Sequence, residues 1–254
     1  MEMKKLLIAG LVSSSLILVG CQSNNTTTTT SNDANTEQQA AVAEFKEMSG
    51  DELNKIVQDK KLKEKYLVID VRPEDEYNAG HVKWAINKLS DDIVAGDLSG
   101  IDHLDKSFPI ITVCNTGNRS AKAAQALVDA GFTEVYNAEG VKDYEYETIT
   151  QVGFLLAPEL QEIANAGDDK YFIIDARKPE DFEKGHLKGA VNITRDEIQD
   201  RLDEVPKDKT VVAYCYSGNQ SLDVAEALVA DGHEDVWNAN DGTKEYDGFE
   251  LVTE

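Results

Sequence analysis

The chain has 254 residues with 48 acidic against 25 basic side chains, a formal net charge of −23. That balance argues against a nucleic-acid binder, whose phosphate contacts call for a basic surface, and it obliges any anionic ligand to be drawn in by local donors. Three cysteines (Cys21, Cys114, Cys215) and four scattered histidines (His81, His103, His186, His233) are too few for a disulfide framework and lack metal-ligand spacing, so no metal is expected.

In chain order, Lys4 and Lys5 precede the apolar run Leu6–Val19, which is short for a membrane span but suits a secretory leader. The run ends in Leu18-Val-Gly-Cys21, which resembles the bacterial lipobox. That resemblance implies a leader over 1–20, cleavage before Cys21, a lipid on its thiol, and an extracytoplasmic protein anchored to the cell membrane. Gln22–Gln39 is nearly all Asn, Thr, Ser, Gln and acidic residues, with five threonines at 26–30. Such a stretch has too little apolar surface to offset its ordering entropy. A tether is therefore expected over 21–45.

Two domains of about 100 residues each fit the remaining length, and the sequence repeats accordingly. Lys65-Tyr-Leu-Val-Ile-Asp-Val-Arg72 recurs as Lys170-Tyr-Phe-Ile-Ile-Asp-Ala-Arg177, Gly80-His81 as Gly185-His186, and Asn87 as Asn192. Cys114-Asn-Thr-Gly-Asn-Arg-Ser120 matches Cys215-Tyr-Ser-Gly-Asn-Gln-Ser221. The copies are assigned to 46–150 and 151–254. Each reads as α/β: a helix near Leu53 or Leu160, a buried strand (67–69; 172–174), a second strand (109–113; 210–214) running into the cysteine, and a helix stopped at Gly131 or Gly232. A short strand with Val135-Tyr136 or Val236-Trp237 follows. Strands alternating with helices predict a mostly parallel sheet flanked by helices.

Each cysteine thus falls at the carboxyl end of a buried strand, just ahead of a helix N-terminus. Unpaired amides and the helix dipole there favour negative charge and lower a thiol pKa. The alternatives are a small core hydrophobe, or a Cys114–Cys215 disulfide outside the cytoplasm.

With these residues in place, both copies resemble rhodanese domains through Asp70-Val-Arg72 and Asp175-Ala-Arg177, the Gly-His elements and the Cys-x-x-Gly loops. The resemblance implies sulfur transfer: the loop cysteine takes sulfane sulfur from a small anion such as thiosulfate, holds it as a persulfide, and passes it to cyanide or a thiol. Cys114 and Cys215 become the nucleophiles. Asn115, Thr116, Gly117, Asn118 and Arg119, with Tyr216, Ser217, Gly218, Asn219 and Gln220, become the binding cradles. Asp70, Arg72, Asp175 and Arg177 are read as a structural clamp beside the site, and His81 and His186 as structural. No nucleotide, flavin or pyridoxal motif is present, so no cofactor is expected. The spacing Cys-x4-Arg is one residue tighter than the Cys-x5-Arg of tyrosine phosphatases, which sets phosphate-ester chemistry last among the alternatives. A persulfide carrier or sulfur sensor with little turnover shares the same residues. Two departures stand out: Trp84 replaces the glycine kept at Gly189, and Gln220 replaces Arg119. The permanent charge of Arg119 suggests that Cys114 handles an anionic donor better than Cys215.

Overall fold

A computed structural model describes residues 44–253. The expected leader, Cys21 and the tether up to residue 43 lie outside the described residues.

The first copy begins with the short strand β1 (Lys46–Met48) and helix α1 (Gly50–Gln58), whose amino end is capped by the Ser49 hydroxyl accepting from the Glu52 amide at 3.3 Å. Leu53, Ile56 and Val57 line the buried face of α1, at the i, i+3, i+4 spacing of a one-sided helix. A single 3₁₀ turn (Lys63–Lys65) leads into β2 (Leu67–Asp70), buried at every position. Then come α2 (Glu74–Asn78), β3 (His81–Val82), β4 (Ala85–Asn87), α3 (Ser90–Val94), β5 (Ile110–Val113), α4 (Asn118–Asp129), β6 (Val135–Ala138) and β7 (Ile149–Thr150). The second copy repeats the plan with β8 (Gly153–Leu155), α5 (Ala157–Ala166), β9 (Tyr171–Asp175), α6 (Pro179–Phe182), β10 (Val191–Asn192), α7 (Ile198–Arg201), β11 (Thr210–Tyr214), α8 (Asn219–Ala230) and β12 (Val236–Ala239).

The sheets run β1-β6-β5-β2-β4 and β8-β12-β11-β9-β10, every pair parallel. The cysteine-bearing strands β5 and β11 are therefore the central strands. Parallel strands covered on both faces explain the unbroken apolar runs of the sequence. The α/β architecture with two tandem, mostly parallel sheets flanked by helices is as the repeat predicts. Sequence reading missed β1, β3, β4, β7, β8 and β10: strands of two or three residues are too short to show a period.

After its sheet closes, each copy returns a segment to its Gly-His element. β7 pairs antiparallel with β3, and Val252 bridges His186 in the second copy. The expected boundary at 150/151 falls between β7 and β8. One apolar core runs through both copies, joining Trp84 and Val82 to Phe154 and Leu156. The Tyr77 hydroxyl extends this junction, donating to the Ala85 carbonyl at 2.7 Å and accepting from the Phe154 amide at 3.1 Å. Among the described residues no helix is long and apolar enough to cross a membrane.

Candidate active site

Cys114 and Cys215 directly follow β5 and β11, at the carboxyl edge where parallel sheets present their crevices. The chain must pass from strand to helix within a few residues. Gly117 and Gly218 make the turn with φ of 77° and 74°, a left-handed conformation that costs a residue bearing Cβ about 1–2 kcal/mol. Because each glycine is the cap residue itself, α4 and α8 start at the next position. Asn118 and Arg119, and likewise Asn219 and Gln220, are thus in the first helical turn. The loops proper are Asn115–Gly117 and Tyr216–Gly218.

The two thiols are free, and each residue is only 1% exposed. Burial alone fits a core hydrophobe, but their partners do not. The Cys114 Sγ accepts from the Ser120 amide at 3.4 Å and its hydroxyl at 3.3 Å. The Cys215 Sγ accepts from the Gln220 amide at 3.3 Å and the Ser221 hydroxyl at 3.4 Å. Burial pushes the Cys114 thiol up, but the hydroxyl and amide of Ser120, with the amides of Thr116 and Arg119, outweigh it and hold the thiol below its ordinary value. Each serine hydroxyl also lies 3.1 Å from a loop carbonyl, Gly117 or Gly218. Its single proton serves either the carbonyl or the sulfur. Ser120 and Ser221 were absent from the sequence-based candidates, although their recurrence six residues after each cysteine was a usable signal.

A second loop backs each cysteine loop. The Val141 and Lys142 amides donate to the Cys114 and Asn115 carbonyls, both at 2.9 Å; the Thr243 and Lys244 amides do the same for Cys215 and Tyr216, at 3.1 and 3.0 Å. Those contacts fasten the carbonyls of both cysteine loops from behind. The approach demands glycine: a Cβ on Gly140 would stand 2.1 Å from the Asn115 oxygen, and one on Gly242 2.2 Å from the Tyr216 carbonyl carbon.

Outside the loops the copies differ. Glu76 on α2 accepts from Asn115 Nδ2 at 2.6 Å and from Arg119 Nη1 and Nη2 at 3.2 and 3.0 Å. The arginine singled out for an incoming anion is already paired. In the second copy Asp181 on α6 accepts instead from the Tyr216 hydroxyl and from Lys184. Behind both loops, Arg72 grips Asp70 through Nε (2.9 Å) and Nη2 (2.6 Å) and reaches the Gly80 carbonyl (2.8 Å). Arg177, Asp175 and Gly185 repeat this arrangement. All four charged residues are buried and occupied with one another, as a clamp would be. His81 and His186 also bond to backbone, through Tyr77 and Val152 for the first and Phe182 for the second.

The chain is similar in sequence to known proteins. The tRNA sulfurtransferase of Pyrobaculum aerophilum is 41% identical over 103 residues, covering 41% of this chain and 21% of that protein. The thiosulfate sulfurtransferase GlpE of Pseudomonas syringae is 36% identical over 70 residues, covering 28% of this chain and 66% of the relative. The chain therefore spans about a fifth of the first and about two thirds of the second. Among solved structures, the thiosulfate sulfurtransferase from Pseudomonas aeruginosa aligns at 17% identity with a TM-score of 0.35, covering 82% of this chain and 43% of its own. The family model for the rhodanese-like domain matches twice, at residues 49–143 and 156–248. With two parallel sheets that each deliver a cysteine to a glycine-capped helix, this chain belongs to the rhodanese-like domain family as a tandem pair.

Proposed function

We propose that the protein is a sulfurtransferase working through a persulfide on Cys114, with Cys215 as a second acceptor. The observation that carries this reading is the Cys114 sulfur held by the Ser120 amide and hydroxyl at the start of α4, which favours its thiolate. The thiolate attacks the outer sulfur of a donor such as thiosulfate. A sulfur–sulfur bond to cysteine forms as the bond to sulfite breaks, and sulfite leaves with the electron pair. Cyanide or an acceptor thiolate then attacks the terminal sulfur, and the cysteine departs as thiolate. No external oxidant is needed. The loop amides and the positive end of the helix stabilise negative charge on the terminal sulfur throughout.

Intact mass spectrometry of the wild type, Cys114→Ser and Cys215→Ser after thiosulfate tests this. One added sulfur on each single variant, removed by cyanide, is the expected result; no added sulfur on any form overturns it. The burial of both thiols favours a second reading, a carrier that loads sulfur and hands it slowly to a partner protein. Rapid single-turnover loading with negligible steady-state turnover on small acceptors would mark the carrier. The lipobox-like Leu18–Cys21 supports a further part of the proposal, a lipid on Cys21 that keeps the protein at the outer face of a bacterial cell membrane. Labelling with a tagged fatty acid, lost in Cys21→Ala, tests that placement.

A further inference from the structure

Lys63 belongs to the first copy, yet its side chain serves the second. Its Nζ donates to the Ser217 carbonyl of the Cys215 loop at 2.6 Å and to the Asn240 carbonyl of the segment behind it at 2.9 Å. The residue is only 7% exposed, and lysine is rarely buried to that extent without a specific set of partners.

Trp84 completes the setting. Its ring lies 4.5 Å from Lys63 Nζ, its indole N–H donates to the Val57 carbonyl at 3.1 Å, and its own carbonyl accepts from Asn240 Nδ2 at 2.9 Å. Its φ is 69°, close to the 75° of Gly189 at the equivalent place in the second copy. The backbone of this turn calls for glycine, and a bulky side chain there is strained. What the tryptophan contributes lies across the junction: a wall for the lysine and a tie to Asn240.

The Cys215 loop has Gln220 where the first has Arg119, and so lacks a cation of its own at that position. We propose that Lys63 is a positioning residue acting across the domain junction, adding its positive charge at the Ser217 side of the Cys215 loop, where the second copy itself contributes Lys244 over the Tyr216 ring at 4.8 Å, and holding the Ser217 and Asn240 carbonyls away from the sulfur. This rests on reading Cys215 as a sulfur-accepting thiol. Carbonyls engaged by Lys63 cannot turn toward an anion at Sγ. Burial pushes the Lys63 ammonium down, while Glu245, Glu64, Asp241 and Cys215 favour its charged form. Its ammonium sits on the Ser217 carbonyl, which places a cation from the first copy against the Cys215 loop. The Cys114 loop is held by Glu76 of its own copy, which makes Cys114 an internal control.

The experiment uses the full chain and follows the Cys215 peptide by mass spectrometry, with iodoacetamide as the probe across a pH series in the Cys114→Ser background. Lys63→Met and Lys63→Gln should each move the Cys215 alkylation profile to higher pH, slowing the reaction at neutral pH by about tenfold, as loss of a nearby cation does. Lys63→Arg should keep most of the wild-type profile. Cys114, read in the Cys215→Ser background, should not change. An unaltered Cys215 profile in either neutral variant, with wild-type unfolding behaviour, overturns the proposal; so does an equal shift at Cys114. Should Lys63→Met fail to fold, Lys63→Gln, which keeps a donor without the charge, carries the test. Thiosulfate loading separates this idea from the one beneath it. If the alkylation profile shifts as expected but Cys215 never gains sulfur, the positioning role stands and the sulfur-accepting role of Cys215 falls.

Discussion

Glu76 and Arg119 face each other across the Cys114 loop, the two carboxylate oxygens meeting the two guanidinium nitrogens at 3.2 and 3.0 Å. The pair neutralises the charge that set the first copy apart in sequence. Its side chains are about one-third exposed, so solvent screens the attraction. Glu76→Gln keeps an acceptor for Asn115 while removing the competing negative charge. We expect the KM for thiosulfate at Cys114 to fall about two- to fivefold, the scale of a screened ion pair, with little change at Cys215. Steady-state kinetics in the Cys215→Ser background measures this, and an unchanged or higher KM contradicts it.

Ser120→Ala removes one of the donors that hold the Cys114 thiol down. A hydrogen bond to a charged group contributes about 1.5–3 kcal/mol, or about one to two pH units. The sign follows directly: the thiolate loses a donor and the protonated form loses nothing comparable, so the alkylation profile of Cys114 should shift upward in pH. Reactivity should converge on that of the parent as pH rises, with the deficit growing toward lower pH. A uniform loss at every pH would mean that the hydroxyl affects access instead.

Gly140→Ala tests whether the backing loop sets the cradle. The added methyl carbon would stand 2.1 Å from the Asn115 oxygen, so one of the two backbones must move. Sulfur uptake at Cys114 should drop by up to about a hundredfold, the scale of misplacing a reacting group by an ångström, while uptake at Cys215 continues. Equal loss at both cysteines would point to global unfolding.

Arg72→Met leaves the Asp70 carboxylate, which is fully buried, without its counter-charge. Stranding a buried charge costs about 3–5 kcal/mol, far more than the intact pair contributes. Denaturant unfolding should show that loss, and the double variant Arg72→Met/Asp70→Leu should recover a large part of it. If the double variant is worse than the single, the clamp has a role beyond balancing charge.

Trp84→Gly weighs backbone strain against burial. Glycine relieves a left-handed conformation costing about 1–2 kcal/mol, but removing a buried tryptophan costs about 3–5 kcal/mol. Burial wins. A net destabilisation of about 1–4 kcal/mol in denaturant unfolding is expected by difference. A variant more stable than the wild type would show that Trp84 contributes little at the junction.

The duplication, the α/β class, the buried strands leading into the cysteines and the glycines that stop the following helices were all legible in the residues, because each is written locally. Apolar runs mark buried parallel strands, a glycine at the right offset marks the left-handed turn, and two copies in register remove the ambiguity of one. Ser120 and Ser221 were also within reach, since they recur with the cysteines. Tertiary structure alone decided who meets those loops from a distance. Glu76 lies 43 residues from Arg119 and Lys63 154 residues from Ser217, separations at which no sequence period survives. Such meetings are set by how sheets and helices stack to bury the shared core, and side-chain chemistry merely follows where the packing puts it.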